Sequence, residues 1–173
     1  MILDIVKKPN AVLKKQARLI DPADIPNYAS LINNMYETLA QSGGVGLAAP
    51  QVGEDVSLFI VTVDGVSHTF INPVVLDAST DISVQPEGCL SLPGIILNIP
   101  RSNKIKAMYR DATGVQHINE FDEGWSRIFL HEFDHLQGIM IDDRVGAVTL
   151  MMAKKKAAKA ARLSTKYNNK RKR

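Results

Sequence analysis

The segment His131-Glu132-Phe133-Asp134-His135 constrains the fold of this chain more than any other stretch. From Trp125 to Leu136, apolar Ile128, Phe129, Phe133 and Leu136 fall on one side, and Gly138 lies near the end. This pattern predicts an amphipathic helix packed into a core. On a helix, side chains at i and i+4 share a face, so both imidazoles can reach one metal ion about 2.0–2.1 Å from each nitrogen. Glu132 stands beside them, giving the H-E-x-x-H arrangement in which the glutamate is general base to a metal-bound water. A helix with two merely half-buried histidines has the same spelling. The flanks Ile128, Phe129, Leu136 and Ile139 weigh against that reading, because buried polar groups need partners and a cation supplies one.

Such a helix needs elements to bury it. Tyr28, Ile32, Met35 and Leu39 step by four, three and four, one face of a second helix that follows Pro22 and Pro26 and stops at Gly43-Gly44. Val56 to Val63 and Val66 to Ile71 flank Asp64-Gly65, a type I′ signal, and predict a β-hairpin. Lys104 to Arg110 and Val115 to Phe121, around Asp111-Ala112-Thr113-Gly114, predict another. Val148 to Leu163, rich in Ala, Met, Leu and Lys, is helical by propensity. The expected fold is therefore α+β: antiparallel strands and hairpins packed around a central helix that carries the H-E-x-x-H motif, with an additional C-terminal helix. A length of 173 residues fits one domain. We divide it into a catalytic body, residues 1–147, and a basic helix and tail, residues 148–173.

Charge follows that division. Of the 21 Lys and Arg residues, ten lie in 154–173, which contains no acid, so the rest of the chain is acidic. A basic block attracts nucleic acid, an anionic membrane surface or an acidic protein, or is simply a solvated terminus. Disorder is expected for Asn168 to Arg173. No run approaches the roughly 18 apolar residues of a membrane span, and the start lacks a signal peptide's apolar stretch. The single cysteine cannot form an internal disulfide, so cytoplasm is the default expectation.

Two histidines leave a catalytic ion short of the usual three protein ligands. Cys89, in Glu87-Gly88-Cys89-Leu90-Ser91-Leu92-Pro93, is the obvious third, with glycine before it for close backbone approach. Taken alone, a lone cysteine is more commonly a buried, inert thiol. The run Gly44-Val45-Gly46-Leu47-Ala48-Ala49-Pro50-Gln51 has little side-chain bulk, so an extended peptide can lie against its main chain while Gln51 offers an amide N–H to an oxyanion. Close packing after a helix is the plainer explanation of those glycines. The run is no phosphate loop, since it lacks the Walker lysine and Ser/Thr.

Taken in order, Gly44 to Gln51, Glu87 to Ser91 and His131 to His135 resemble the three signature motifs of the peptide deformylases. The resemblance extends from the N-terminus to about Asp143. It implies a metal-dependent hydrolase that removes the formyl group from N-formylmethionine at the start of newly made polypeptides and releases formate. It further implies one divalent ion per chain, Fe2+ natively, with Zn2+, Ni2+ or Co2+ able to replace it on purification. By position, Cys89, His131 and His135 are the implied ligands, Glu132 the acid/base residue, and Gln51 with the backbone N–H of Leu90 the oxyanion donors. Val45, Gly46, Glu87, Gly88 and Ile128 are the implied substrate-binding residues. Val45, Trp125, Ile128 and Phe129 are the apolar residues nearest the motifs, and Val45 and Ile128 are the expected walls of the methionine pocket.

Two departures bear on that pocket: Leu130 stands where family members usually have glutamine, and Gly124 to His131 is one residue shorter than usual. Glu87 and Arg101 are an expected ion pair bracing the cysteine loop. His68 and His117 are expected on hairpin surfaces, Asp134 as an orienting or capping group, and Asp142-Asp143 as a solvated turn. In related bacterial enzymes a C-terminal helix docks on the ribosome near the exit tunnel, which is the expectation for Val148 to Arg162. A monomer without membrane attachment is the default. Two rivals stand: a zincin-type endopeptidase, for which only Asp142 or Asp143 is left as third ligand, and a non-enzymatic homologue that binds ribosomal RNA through its tail.

Overall fold

A computed structural model describes the backbone of residues 1–171 and the side chains through residue 163. In chain order its elements are α1 (Ala29–Ser42), β1 (Gly46–Ala48), β2 (Leu58–Val63), β3 (Val66–Ala78), β4 (Ile82–Cys89), β5 (Leu92–Ser102), β6 (Lys104–Arg110), β7 (Gln116–Asp122), α2 (Glu123–Leu136) and α3 (Ala147–Arg171), with short 3-10 turns between some of them. Strands β1, β2, β3, β6 and β7 form an antiparallel sheet in that spatial order, and β4 with β5 forms a separate two-stranded ribbon. This is the expected α+β architecture.

Local chemistry explains the elements. Ile32, Met35 and Leu39 are buried along one face of α1, and Gly43 ends the helix in the left-handed region at φ 72°. Asp64 and Gly65 both have positive φ, as a type I′ hairpin turn requires, and they put Val63 opposite Val66. The second hairpin pairs Arg110 with Gln116 across the Asp111–Gly114 loop. The ribbon has no counterpart among the predicted hairpins. Its strands contain Pro86, Pro93 and Pro100, which a ribbon of two edge strands tolerates and a central strand would not.

Helix α2 lies between the sheet and the ribbon. Its Phe129 and Leu136 pack with Phe59, Phe70, Ile105 and Tyr109 of the sheet. Phe129 meets Phe59 and Phe70 edge to face at ring-centroid distances of 5.1 and 5.3 Å. A second core joins α1 to β1 and β2. A third joins the ribbon residues Ile95, Leu97 and Ile99 to Leu13, Met140 and Ile141, and α3 closes it with Leu150, Ala153 and Ala157.

Two expectations are corrected here. Asn168 to Arg171 continue α3, since neither Gly nor Pro interrupts it; Lys172 and Arg173 lie outside the described residues. Asp142 belongs to a 3-10 turn and is buried, because Lys8, far away in the chain, brings Nζ to 2.5 Å from its carboxylate; Lys14 pairs with Asp143.

Candidate metal centre

Three elements deliver the site. The end of β4 carries Cys89, the 3-10 turn after β1 carries Gln51, and one face of α2 carries His131 and His135. Cys89 Sγ lies 3.3 Å from His135 Nε2, and one ligand atom from each of Cys89, His131 and His135 lies within 4.8 Å of the others. A tetrahedral ion bound by one sulfur and two nitrogens needs such atoms roughly 3.3–3.6 Å apart, so the donor set fits one ion with modest closure. All three side chains are largely withdrawn from solvent.

The surrounding groups orient these ligands. His131 Nδ1 sits 2.9 Å from Glu87 Oε2, which leaves Nε2 for the ion. Glu87 also accepts from Arg101 Nε at 3.0 Å, Arg101 Nη2 at 2.9 Å and Arg127 Nη1 at 2.6 Å. Burial pushes the Glu87 carboxyl pKa up, but the bonds from His131 and Arg101 outweigh it and hold it down at about 2. For His131, burial acts against protonation, yet the bonds to Cys89 and Glu87 raise its pKa to about 10. His135, whose pKa burial drives well below the ordinary value, is a neutral imidazole; its Nδ1 has no hydrogen-bond partner among the described residues.

Glu132 is buried, with Oε2 unpartnered, and burial pushes its pKa up to about 7. Gly46 makes its position attainable: a Cβ there would lie 2.4 Å from Glu132 Oε1 and 2.8 Å from Cδ and Cγ. Gln51 is fixed at both ends of its amide. Oε1 accepts from Ala48 N at 2.9 Å, which turns Nε2 toward Cys89 Sγ at 3.6 Å and Ser91 Oγ at 3.3 Å.

These groups floor a cavity of about 600 Å³ whose walls include Val45, Gly46, Gly88, Leu90, Ile96 and Ile128. Of the four apolar residues near the motifs, Val45 and Ile128 line it, while Trp125 and Phe129 belong to the core beneath. The expected Glu87–Arg101 pair is present, and Asp134 accepts from Arg101 Nη1 at 2.6 Å and pairs with Arg144. His68 stands edge-on to Trp125 and His117 lies 2.6 Å from Asp111, and neither belongs to a metal-ligand cluster among the described residues.

Arg127, Arg144 and Ser91 were not singled out by the sequence. A signal existed for Arg127, which precedes His131 by four residues and so shares the ligand face of α2. Ser91, fully buried, lies inside the cysteine loop. Arg144 has no local signature.

Comparison with known proteins agrees with this geometry. The sequence profile of the polypeptide deformylase family matches residues 2–150. A peptide deformylase of Thermotoga petrophila is 40% identical over 152 residues, covering 87% of this chain and 92% of that one. The crystal structure of a peptide deformylase from Synechococcus elongatus in complex with actinonin superposes with TM-score 0.84 at 31% identity, over 90% of this chain and 86% of that one. A Met-Ala-Ser-bound class I type b peptide deformylase from Acinetobacter baumannii superposes with TM-score 0.79 at 27% identity, over 84% and 99% of the two chains. With one cysteine, two histidines and a glutamate gathered on this fold and the family profile spanning most of its length, the chain belongs to the polypeptide deformylase family.

Proposed function

We propose that this chain hydrolyses the N-formyl group of N-formylmethionine at the N-terminus of newly made polypeptides and releases formate. The convergence of Cys89, His131 and His135 beside buried Glu132, at the floor of a cleft bordered by small residues, carries the reading. A peptide N-terminus can lie along Gly44 to Gly46 with its first side chain between Val45 and Ile128.

Cys89, His131 and His135 would hold one divalent ion, ferrous in the native protein, with zinc, nickel or cobalt as substitutes. The donor set of one thiolate and two imidazoles supports a transition metal over magnesium or calcium. When bound, the ion supplies Lewis acidity to water and to the formyl oxygen. Glu132 accepts the proton of the attacking water and returns it to the leaving amine. Gln51 Nε2 and the Leu90 N–H donate to the oxygen that gains charge as the formyl carbon becomes tetrahedral. Glu87 acts differently from the substrate-binding part implied by the resemblance: with its oxygens taken by Arg101, Arg127 and His131, it is a positioning residue.

The reaction takes place in the cytoplasm on our reading, with the chain as a monomer; among the described residues no helix is long and apolar enough to cross a membrane. Residues 1–147 form the catalytic body, and 148–173 a basic helix and tail that dock on the ribosome near the exit tunnel. Leu150, Ala153 and Ala157 anchor α3 to the ribbon, which leaves Lys154, Lys155, Lys156, Lys159 and Arg162 exposed for phosphate contacts. If trimming residues 154–173 leaves ribosome co-sedimentation at low salt unchanged, the docking is wrong.

The deciding experiment compares release of free Met-Ala-Ser by anaerobically prepared protein from formyl-Met-Ala-Ser and acetyl-Met-Ala-Ser, with formate as the second product of the first. Turnover of the formyl peptide alone is expected, with Glu132→Ala reduced 10²–10⁴-fold at unchanged metal content. Equal turnover by Glu132→Ala and wild type would overturn the assignment.

A further inference from the structure

The outward face of the β4–β5 ribbon is apolar and uncovered. Strand alternation and the register put Ile82, Val84, Pro86 and Gly88 of β4 on one face with Ser102, Pro100, Asn98 and Ile96 of β5. Ile82, Val84 and Ile96 are 57%, 62% and 60% exposed. From residue 82 to residue 100 the only charged side chain is Glu87, and it points inward to Arg101 and His131. The strands that follow differ: Lys104, Lys106 and Glu120 put charge on the exposed positions of β6 and β7. A bare apolar stripe of this kind marks a contact surface.

Its position identifies the occupant. Pro86, Gly88 and Ile96 line the catalytic cavity and also begin the stripe, so the cavity wall runs without a break onto the ribbon. Val84 lies four residues from Gly88, roughly 13 Å along the strand, about the reach of four extended substrate residues. We propose that the outer face of the β4–β5 ribbon is a track for the substrate polypeptide itself, binding apolar side chains downstream of the first three residues, in extended conformation. The inference rests on the reading of the cleft as a deformylation site. It adds a sequence preference beyond the first residue: chains whose fourth to sixth residues are aliphatic are processed faster than chains with polar residues there.

The test compares kcat/KM for formyl-Met-Ala-Ser extended by Leu-Val-Leu with that for the same peptide extended by Ser-Asn-Ser, each relative to formyl-Met-Ala-Ser. Partial cover of two aliphatic side chains predicts a preference of about tenfold for the apolar extension in the wild-type holoenzyme. In Ile82→Thr/Val84→Thr, which keeps β-branched residues at both exposed positions, the preference is expected to fall below about threefold. A wild type indifferent to the extension, or a double variant with undiminished preference, overturns the track and leaves the reaction assignment standing. Failure of the wild type to release formate from the tripeptide overturns both.

Discussion

Gly46→Ala is the sharpest test of how the site is built. The new Cβ would stand 2.4 Å from Glu132 Oε1 and 2.8 Å from its Cδ and Cγ, whereas ordinary contact begins near 3.4 Å. The carboxylate oxygen must retreat by about 1 Å and the stem carbon by about 0.6 Å, so rotation of the carboxylate alone does not relieve the clash. Glu132 is 4% exposed and the room beside it is the cavity, so yielding to the new methyl moves the carboxylate off its place. Overpacking of this kind costs about 1–3 kcal/mol, and a displacement of about 1 Å at a proton-transfer group can cost around 100-fold in rate. The expected variant folds, retains its metal after dialysis, and loses about 100-fold in kcat for formyl-Met-Ala-Ser. A double-mutant cycle supplies the control: with Glu132 already replaced by Ala, the atoms nearest the new methyl are gone, and Gly46→Ala should cost almost nothing further. Wild-type kcat in the metal-loaded single variant, or additive losses in the cycle, would refute the reasoning.

Cys89→Ser should lose metal on dialysis or change its ion preference, because serine is a poor substitute for a thiolate; metal analysis reads the result. Gln51→Ala should keep the ion and lose roughly 10²–10³-fold in kcat through one missing oxyanion donor, and an unchanged kcat would remove Gln51 from the mechanism. Glu87 predicts an acid limb. Its folded pKa of about 2 lies below the ordinary 4.5, so its contribution is full above pH 4.5 and lost as pH falls toward 2. Urea unfolding of metal-free protein should therefore weaken over that range in wild type and much less in Glu87→Gln. Matching acid limbs would contradict this.

Much of the site was legible because its chemistry is local in sequence. The spacing of His131 and His135 fixes their common face, and the apolar flanks of α2 bury them. The Asp64-Gly65 turn and the face of α1 declare themselves through positive φ and a 3.6-residue period. What escaped was what folding brings together from afar. Gly46 reads in the sequence as room for an extended peptide or for close packing after a helix, with no hint of the neighbour, and turns out to be clearance for a side chain 86 positions later. The charge of Asp142 reads as solvated in the sequence, whereas in the fold Lys8 lies against it. The ribbon was obscured by its prolines, and the partnership of Arg144 with Asp134 depends on the chain's return after α2.

The ribbon shares no strand ladder with the five-stranded sheet, so Cys89 is carried on one body of the fold and both histidines on another. An ion gripped by all three acts as a rivet across that seam. At a free concentration 100 times its dissociation constant it would add about 2.7 kcal/mol to the joined state. Chelation should then slacken the seam first, with amide exchange quickening in residues 82–102 while the sheet stays protected.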